Sequence, residues 1–401
     1  MRFLCYGSGF LLLILLAGCD SSESLGPQPE PQPEPLTLAP ATSVTLQANA
    51  VRLDVNDEGE VRNGFWLPSG ESPTNDNGTV WNSGLWISAL QDGTPHAGLI
   101  HDGISNYRAT LNGEPSGVYF IERDRPLTNP EDWPTEAPME HDGSPRIYGD
   151  AMAWSTQHLV VETYGLYTAP IEGLQIQQAV YAYGDGSAED IVFVRYELIN
   201  TTDTALNEVR VGFGQDVDLK PDLEDDFTGF LLDEGITYTY DLPALNDAAT
   251  ARLWAAAFLD TPQAMPLNSH RIMRENNDAP QEFSFEGFDT PTDVAYALEG
   301  LSNEGTPMID PTTNEPTAFA FTGNPATGTG WIDGRIVNGN WDGHDVRSLL
   351  SVNPFTLGPG ERTHFTVGLF VLERPVISEA LDALASMVTS TRATSALWDF
   401  D

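Results

Sequence analysis

Two shortages constrain the chemistry of this chain before any motif is considered. Its 401 residues include two cysteines, Cys5 and Cys19, both within the first nineteen positions. The remainder therefore offers no disulfide, no thiolate metal site and no cysteine nucleophile. Basic charge is scarce as well. Eighteen Lys and Arg stand against 59 Asp and Glu, giving a formal net charge of −41, and Lys220 is the only lysine. Proteins hold nucleic-acid phosphates with clustered cations, so nucleic acid is excluded as a partner, and docking on an anionic lipid surface is disfavoured for the same reason. A large carboxylate excess with almost no lysine suits a halophilic protein. At 1 M salt the Debye length falls to about 3 Å and self-repulsion is screened.

Catalytic signatures are also missing. No G-x-S-x-G follows residue 19, and neither H-E-x-x-H nor a glycine-rich phosphate loop occurs anywhere. The seven histidines (His96, His101, His141, His158, His270, His344 and His364) stand singly, which reads as surface or satisfied core positions. No catalytic residue is nominated. After residue 19 no run approaches the 18 apolar residues that a membrane-spanning helix needs.

What is present begins with an export signal. Arg2 precedes the apolar run Phe10-Leu-Leu-Leu-Ile-Leu-Leu16, and Leu16-Ala-Gly-Cys19 matches a bacterial lipobox. Residues 1–18 are read as a lipoprotein signal peptide, with Cys19 lipidated and anchoring the mature chain to a membrane. Residues 19–40, with Gly26-Pro-Gln-Pro-Glu-Pro-Gln-Pro-Glu-Pro35, read as a polyproline spacer. Fifteen such residues reach about 45 Å. The expected location is the cell envelope, with the outer membrane or cell surface favoured over the inner membrane.

Residues 41–401 read as globular, in one large domain or two subdomains meeting near residue 150. Ten Asn-Gly or Asp-Gly pairs, among them Asn63-Gly64, Asp92-Gly93 and Asn112-Gly113, punctuate this region. Such pairs accept the positive φ of tight hairpin turns and argue for an all-β fold, a large antiparallel β-sandwich-like domain. Period-two alternation marks strands over 174–182, 192–198 and 209–213, expected as a three-strand meander. Further strands are expected at 236–240, 252–259 and 363–371. One helix is predicted, at the C-terminus. Ile377, Leu381, Leu384 and Val388 recur there at helical spacing, with Ser378 as N-cap.

The stretch Asp216-Val-Asp-Leu-Lys-Pro-Asp-Leu-Glu-Asp-Asp226 packs six carboxylates into eleven residues. Neighbouring carboxylates about 4 Å apart repel by roughly 4 kcal/mol at a protein surface, so the loop must splay into water or collect a cation. Calcium, which takes six to eight oxygens, suits it. The expected ligands are Asp216, Asp218, Asp222, Asp225 and Asp226. If the strand continues, Asp216 and Asp218 project to one side. The loop is no EF-hand, because Lys220 and Pro221 stand where oxygen and glycine are required.

Several ordered pieces then carry a resemblance. They are Ser83-Gly-Leu-Trp-Ile87, Glu131-Asp-Trp-Pro134, Tyr148-Gly-Asp150, Val192-Phe-Val-Arg-Tyr-Glu-Leu-Ile-Asn200, the acidic loop, Phe321-Thr-Gly-Asn-Pro325, Gly328-Thr-Gly-Trp331 and Asn353-Pro-Phe-Thr-Leu-Gly-Pro-Gly360. As an ordered set they resemble a family of secreted β-rich proteins of Bacteroidota and related phyla, many of which end in a sorting domain for type IX secretion. The resemblance implies a secreted β-sandwich-like domain and carries over no reaction. The family pattern in the loop, D-x-D-x-G…D-D, tends to glycine where Lys220-Pro221 stand here. The chain stops at Asp401 without a sorting domain, so the lipid is expected to serve in its place.

The leading expectation is a non-catalytic binding or structural protein with a structural Ca²⁺, its partner a glycan or another envelope protein. The alternative is a carbohydrate-binding or glycoside-active module using Trp66, Trp81 and Trp86, which cluster in an Asn/Gly-rich region. Core or rim packing is the plainer role for these rings.

Overall fold

The computed structural model describes residues 33–68, 72–74, 78–101, 104–161, 169–184, 186–219, 226–241, 250–274, 288, 290–337, 340–342 and 345–400. Residues 35–401 form one compact unit. Two large antiparallel sheets dominate it.

The first sheet runs in the order Ser43–Leu46, Val51–Asn56, Val61–Trp66, Gly78–Gln91, Leu206–Asp216, Val346–Val352, Leu267–Arg274. Thr94–Gly98 pairs with Gly78–Gln91, and Phe355–Leu357 with Leu206–Asp216. The second sheet runs Asp226–Leu231, Ile236–Asp241, Ala251–Phe258, Arg362–Arg374, Ile191–Asn200, Leu174–Ala182, Ala151–Leu159, Tyr107–Leu111, Glu114–Pro115. Tyr119–Glu122 pairs with Ala151–Leu159. Residue 150, expected as a subdomain seam, thus lies between strands of one sheet.

Alternation explains the layers. Val192, Val194, Tyr196 and Leu198 of one sheet and Val209, Val211 and Phe213 of the other belong to a single buried apolar cluster between the sheets. The opposite face of Ile191–Asn200 is buried too, because Ile191 and Phe193 lie in a second cluster with the C-terminal helix. Over residues 191–195 this central strand is buried on both faces, where the alternation predicts a half-buried one.

Local turn chemistry does what it predicts at two hairpins. Asp92 and Gly93 have φ of 52° and 77°, and Gln91 pairs with Thr94 across them. Asn112 and Gly113 have φ of 53° and 80°, and Leu111 pairs with Glu114. Positive φ at both central residues is the turn whose twist matches a hairpin. Asn63-Gly64 behaves differently. It lies inside the strand Val61–Trp66, where a register shift and a positive φ at Asn63 mark a bulge.

The expected meander is corrected. Leu174–Ala182 and Ile191–Asn200 pair as antiparallel neighbours, but Leu206–Asp216 crosses to the other sheet and pairs with Gly78–Gln91 and Val346–Val352. Buried Asn200 builds the corner. Its Nδ2 donates to the carbonyls of Thr204, Leu357 and Gly358, and its Oδ1 accepts from the Thr202 N–H and hydroxyl.

Strands occupy Ile236–Asp241, Ala251–Phe258 and Arg362–Arg374, over the regions expected. The C-terminal helix, α2, spans Ile377–Ala393 and buries Ile377, Leu381, Leu384 and Val388 against the second sheet. Its N-cap is Val376 rather than Ser378, and no side chain caps it. A short helix not expected from periodicity, α1 (Pro291–Leu298), covers the outer face of the first sheet over Trp86 and Leu349. Its signal was legible in Thr290-Pro-Thr-Asp293, a capping box with proline at the first helical turn. Among the described residues no helix is long and apolar enough to cross a membrane.

Candidate metal centre

The strand Leu206–Asp216 carries its alternation past its last paired residue. Val217 and Leu219 turn into the core between the sheets, while Asp216 and Asp218 fall on the other side. The neighbouring strand Val346–Val352 sets Arg347 opposite Asp216, and continuing that register by two residues brings Asp345 to Asp218. Carboxylate oxygens of Asp216, Asp218 and Asp345 all lie within 4.8 Å of one another. This partly buried acidic triad could hold a metal ion. Two oxygens bound to one calcium at about 2.4 Å are at most about 4.8 Å apart, so the grouping fits a shared ion.

A guanidinium is already wedged into the group. Arg347 Nε donates to Asp216 Oδ2 at 2.9 Å, and its Nη1 lies 3.1 Å from Asp345 Oδ1. Three carboxylates and one guanidinium leave a formal charge of −3 + 1 = −2, which matches a divalent cation. Asn82 sits opposite Asp216 on the other neighbouring strand. Directly opposed Cβ atoms are about 4.5–5.5 Å apart. Asn82 is buried, its Nδ2 has no hydrogen-bond partner among the described residues, and it lines a cavity of about 10 Å³ with Asp216, Arg347, Gly214, Trp86 and Met273. An amide can present either its nitrogen or its carbonyl oxygen to such a space.

The expected ligand set is therefore brought together only in part. Asp216 and Asp218 meet each other and Asp345. Asp226 opens a strand of the other sheet, and its Oδ2 accepts the Leu219 N–H at 3.1 Å. Asp222 and Asp225 lie outside the described residues, as does Cys19. Asp345, Arg347 and Asn82 were not anticipated. Their only sequence signal is the strand register, which no local pattern reveals.

The three tryptophans do not form one surface. Trp86 is fully buried under α1, donates Nε1–H to the Ile100 carbonyl at 2.7 Å and meets Phe288 edge-on at 5.1 Å. Trp66 is half-buried, bonded to Asp190 and overlain by the Arg252 guanidinium. Trp81 is 53% exposed.

No family model and no curated protein matches the chain. Among solved structures it is similar to a bacterial glucoamylase complexed with acarbose (8% identity, TM-score 0.34, 89% of this chain and 34% of that one). It is also similar to a putative aldose 1-epimerase from Escherichia coli K12 (12%, 0.29, 82% and 99%) and to a putative kojibiose phosphorylase from human microbiome (8%, 0.33, 88% and 37%). The chain spans about a third of the glucoamylase and of the phosphorylase. At these TM-scores the likeness carries no argument about fold or reaction.

Proposed function

We propose that this chain is a lipid-anchored protein of the cell envelope, held at the outer membrane or cell surface through Cys19, whose β-sandwich is clamped by a structural calcium ion. The folded unit then serves a non-catalytic binding or structural role. The observation that carries the calcium reading is the convergence of Asp216, Asp218 and Asp345 within 4.8 Å. The formal charge of −2 left beside Arg347 supports a divalent ion, and Asn82 would add a neutral oxygen. Such an ion joins the end of the Leu206–Asp216 strand to the start of the Val346–Val352 strand, offsetting the repulsion of carboxylates on facing rungs.

The envelope location is supported by the lipobox, the proline-rich spacer and the resemblance to a secreted family. Metabolic labelling with a fatty acid tests it, and loss of label in Cys19→Ala is the expected result.

Thermal unfolding in calcium and in chelator tests the clamp. A ligand at a hundredfold excess over its Kd stabilises by about 2.7 kcal/mol, so chelation should lower Tm measurably. Asp218→Asn and Asp345→Asn, which spare the buried Asp216–Arg347 pair, should melt at the same temperature in both conditions. Equal melting of the unaltered protein with and without calcium would discard the reading.

A further inference from the structure

Over most of its area the outer face of the second sheet is apolar and covered, with Tyr181, Phe193 and Phe370 packed in the cluster beneath α2. Towards the start of Arg362–Arg374 the same face turns polar and is partly exposed among the described residues. Register sets Glu197 directly across from His364, with Gln177 beyond it on the next strand. A groove of about 510 Å³ lies here, between this strand end and the turn at 261–264, lined by Glu197, Thr261, Gln263, Arg362, Thr363 and His364. That volume is within the roughly 300–1,000 Å³ usual for small-molecule sites.

The polar groups are positioned rather than loose. Asp260 Oδ2 lies 3.3 Å from His364 Nε2, and Asp260 Oδ1 accepts the Thr366 N–H at 2.5 Å. Arg362 Nη1 donates to Glu197 Oε1 at 3.1 Å. The rim turn is strained, with φ of 51° at Gln263 and 56° at Ala264, two successive non-glycine residues in the left-handed region. Such strain persists only where neighbours impose it. Here Gln263 Nε2 donates to the Thr356 carbonyl and Thr261 Oγ1 to the Met265 carbonyl.

We infer that this groove binds a neutral polyhydroxylated ligand, a mono- or disaccharide. Each sugar hydroxyl both donates and accepts, and the groove offers a carboxylate acceptor at Glu197 beside donors at Arg362 and His364, the last held by Asp260. Glu197, Asp260 and His364 do not form a metal-ligating group among the described residues. The field of a chain with net charge −41 repels an anionic ligand, whereas a neutral one incurs no such cost. This site is independent of the metal centre and of the tryptophans.

Saturation-transfer NMR and calorimetry with glucose, galactose, mannose, maltose and cellobiose test the inference on the intact protein. At least one should bind with a Kd of about 1 mM or tighter. Glu197→Gln and His364→Ala, both at partly exposed positions, should each weaken it at least about tenfold while leaving Tm unchanged. Trp81→Ala should leave the affinity as it was. No transfer to any of the five sugars, or binding that survives both groove substitutions, would overturn the proposal.

Discussion

Arg347 and Asp216 form an ion pair almost sealed from solvent, with Nε and Oδ2 2.9 Å apart and side chains 5% and 4% exposed. The two residues are 131 positions apart in the chain and meet because adjacent strands set them opposite each other. Removing one partner of a buried pair strands the other charge and costs about 3–5 kcal/mol. Arg347→Ala should lose that much in urea unfolding, and its dependence on calcium should rise because three carboxylates then lack their guanidinium. The double variant Asp216→Asn with Arg347→Met should be more stable than Arg347→Ala alone. Equal losses would show that the charge is not what matters.

His270 gives a pH signature. It is fully buried and stacked on Phe230 at 4.7 Å. Its Nδ1–H donates to the Ala320 carbonyl and its Nε2 accepts from the Thr237 hydroxyl. Burial pushes its pKa down from 6.5 to about 4, although the bond to Ala320 pulls the other way. The unfolded chain therefore binds a proton that the folded chain refuses between these values. The stabilising contribution is complete above pH 6.5 and is lost as pH falls through about 4. Relative to His270→Asn, the native protein should lose roughly 2–3 kcal/mol more between pH 7 and 4.5. The His270 ring signal in NMR should not move between pH 7 and 5. A ring that titrates near 6.5 would refute this.

Trp86 and Trp81 should separate sharply despite lying five residues apart. Trp86→Ala empties a fully buried site beneath α1 and should cost about 3–5 kcal/mol. Gly214→Ala should also destabilise, because an added Cβ would lie 2.4 Å from the Trp86 indole nitrogen. Trp81→Ala, at an exposed ring, should stay within about 0.5 kcal/mol. Chemical denaturation of the three variants checks all of these together.

The local energetics of this chain are written in its sequence. Asp92-Gly93 and Asn112-Gly113 turn as their φ preferences require, the alternating runs become strands, and α2 buries the four residues its spacing selects. Asp216 and Asp218 share a side because strand geometry has period two. These features depend on neighbours within a few positions. The tertiary structure decided what depends on distant partners. It sent the strand after Asn200 across the sandwich, closed α1 over Trp86, and brought Asp345 to Asp216 and Asp218 with Arg347 between the carboxylates. Strand register is set by which apolar faces fill the common core, and it brings together charges that lie 131 residues apart in the chain.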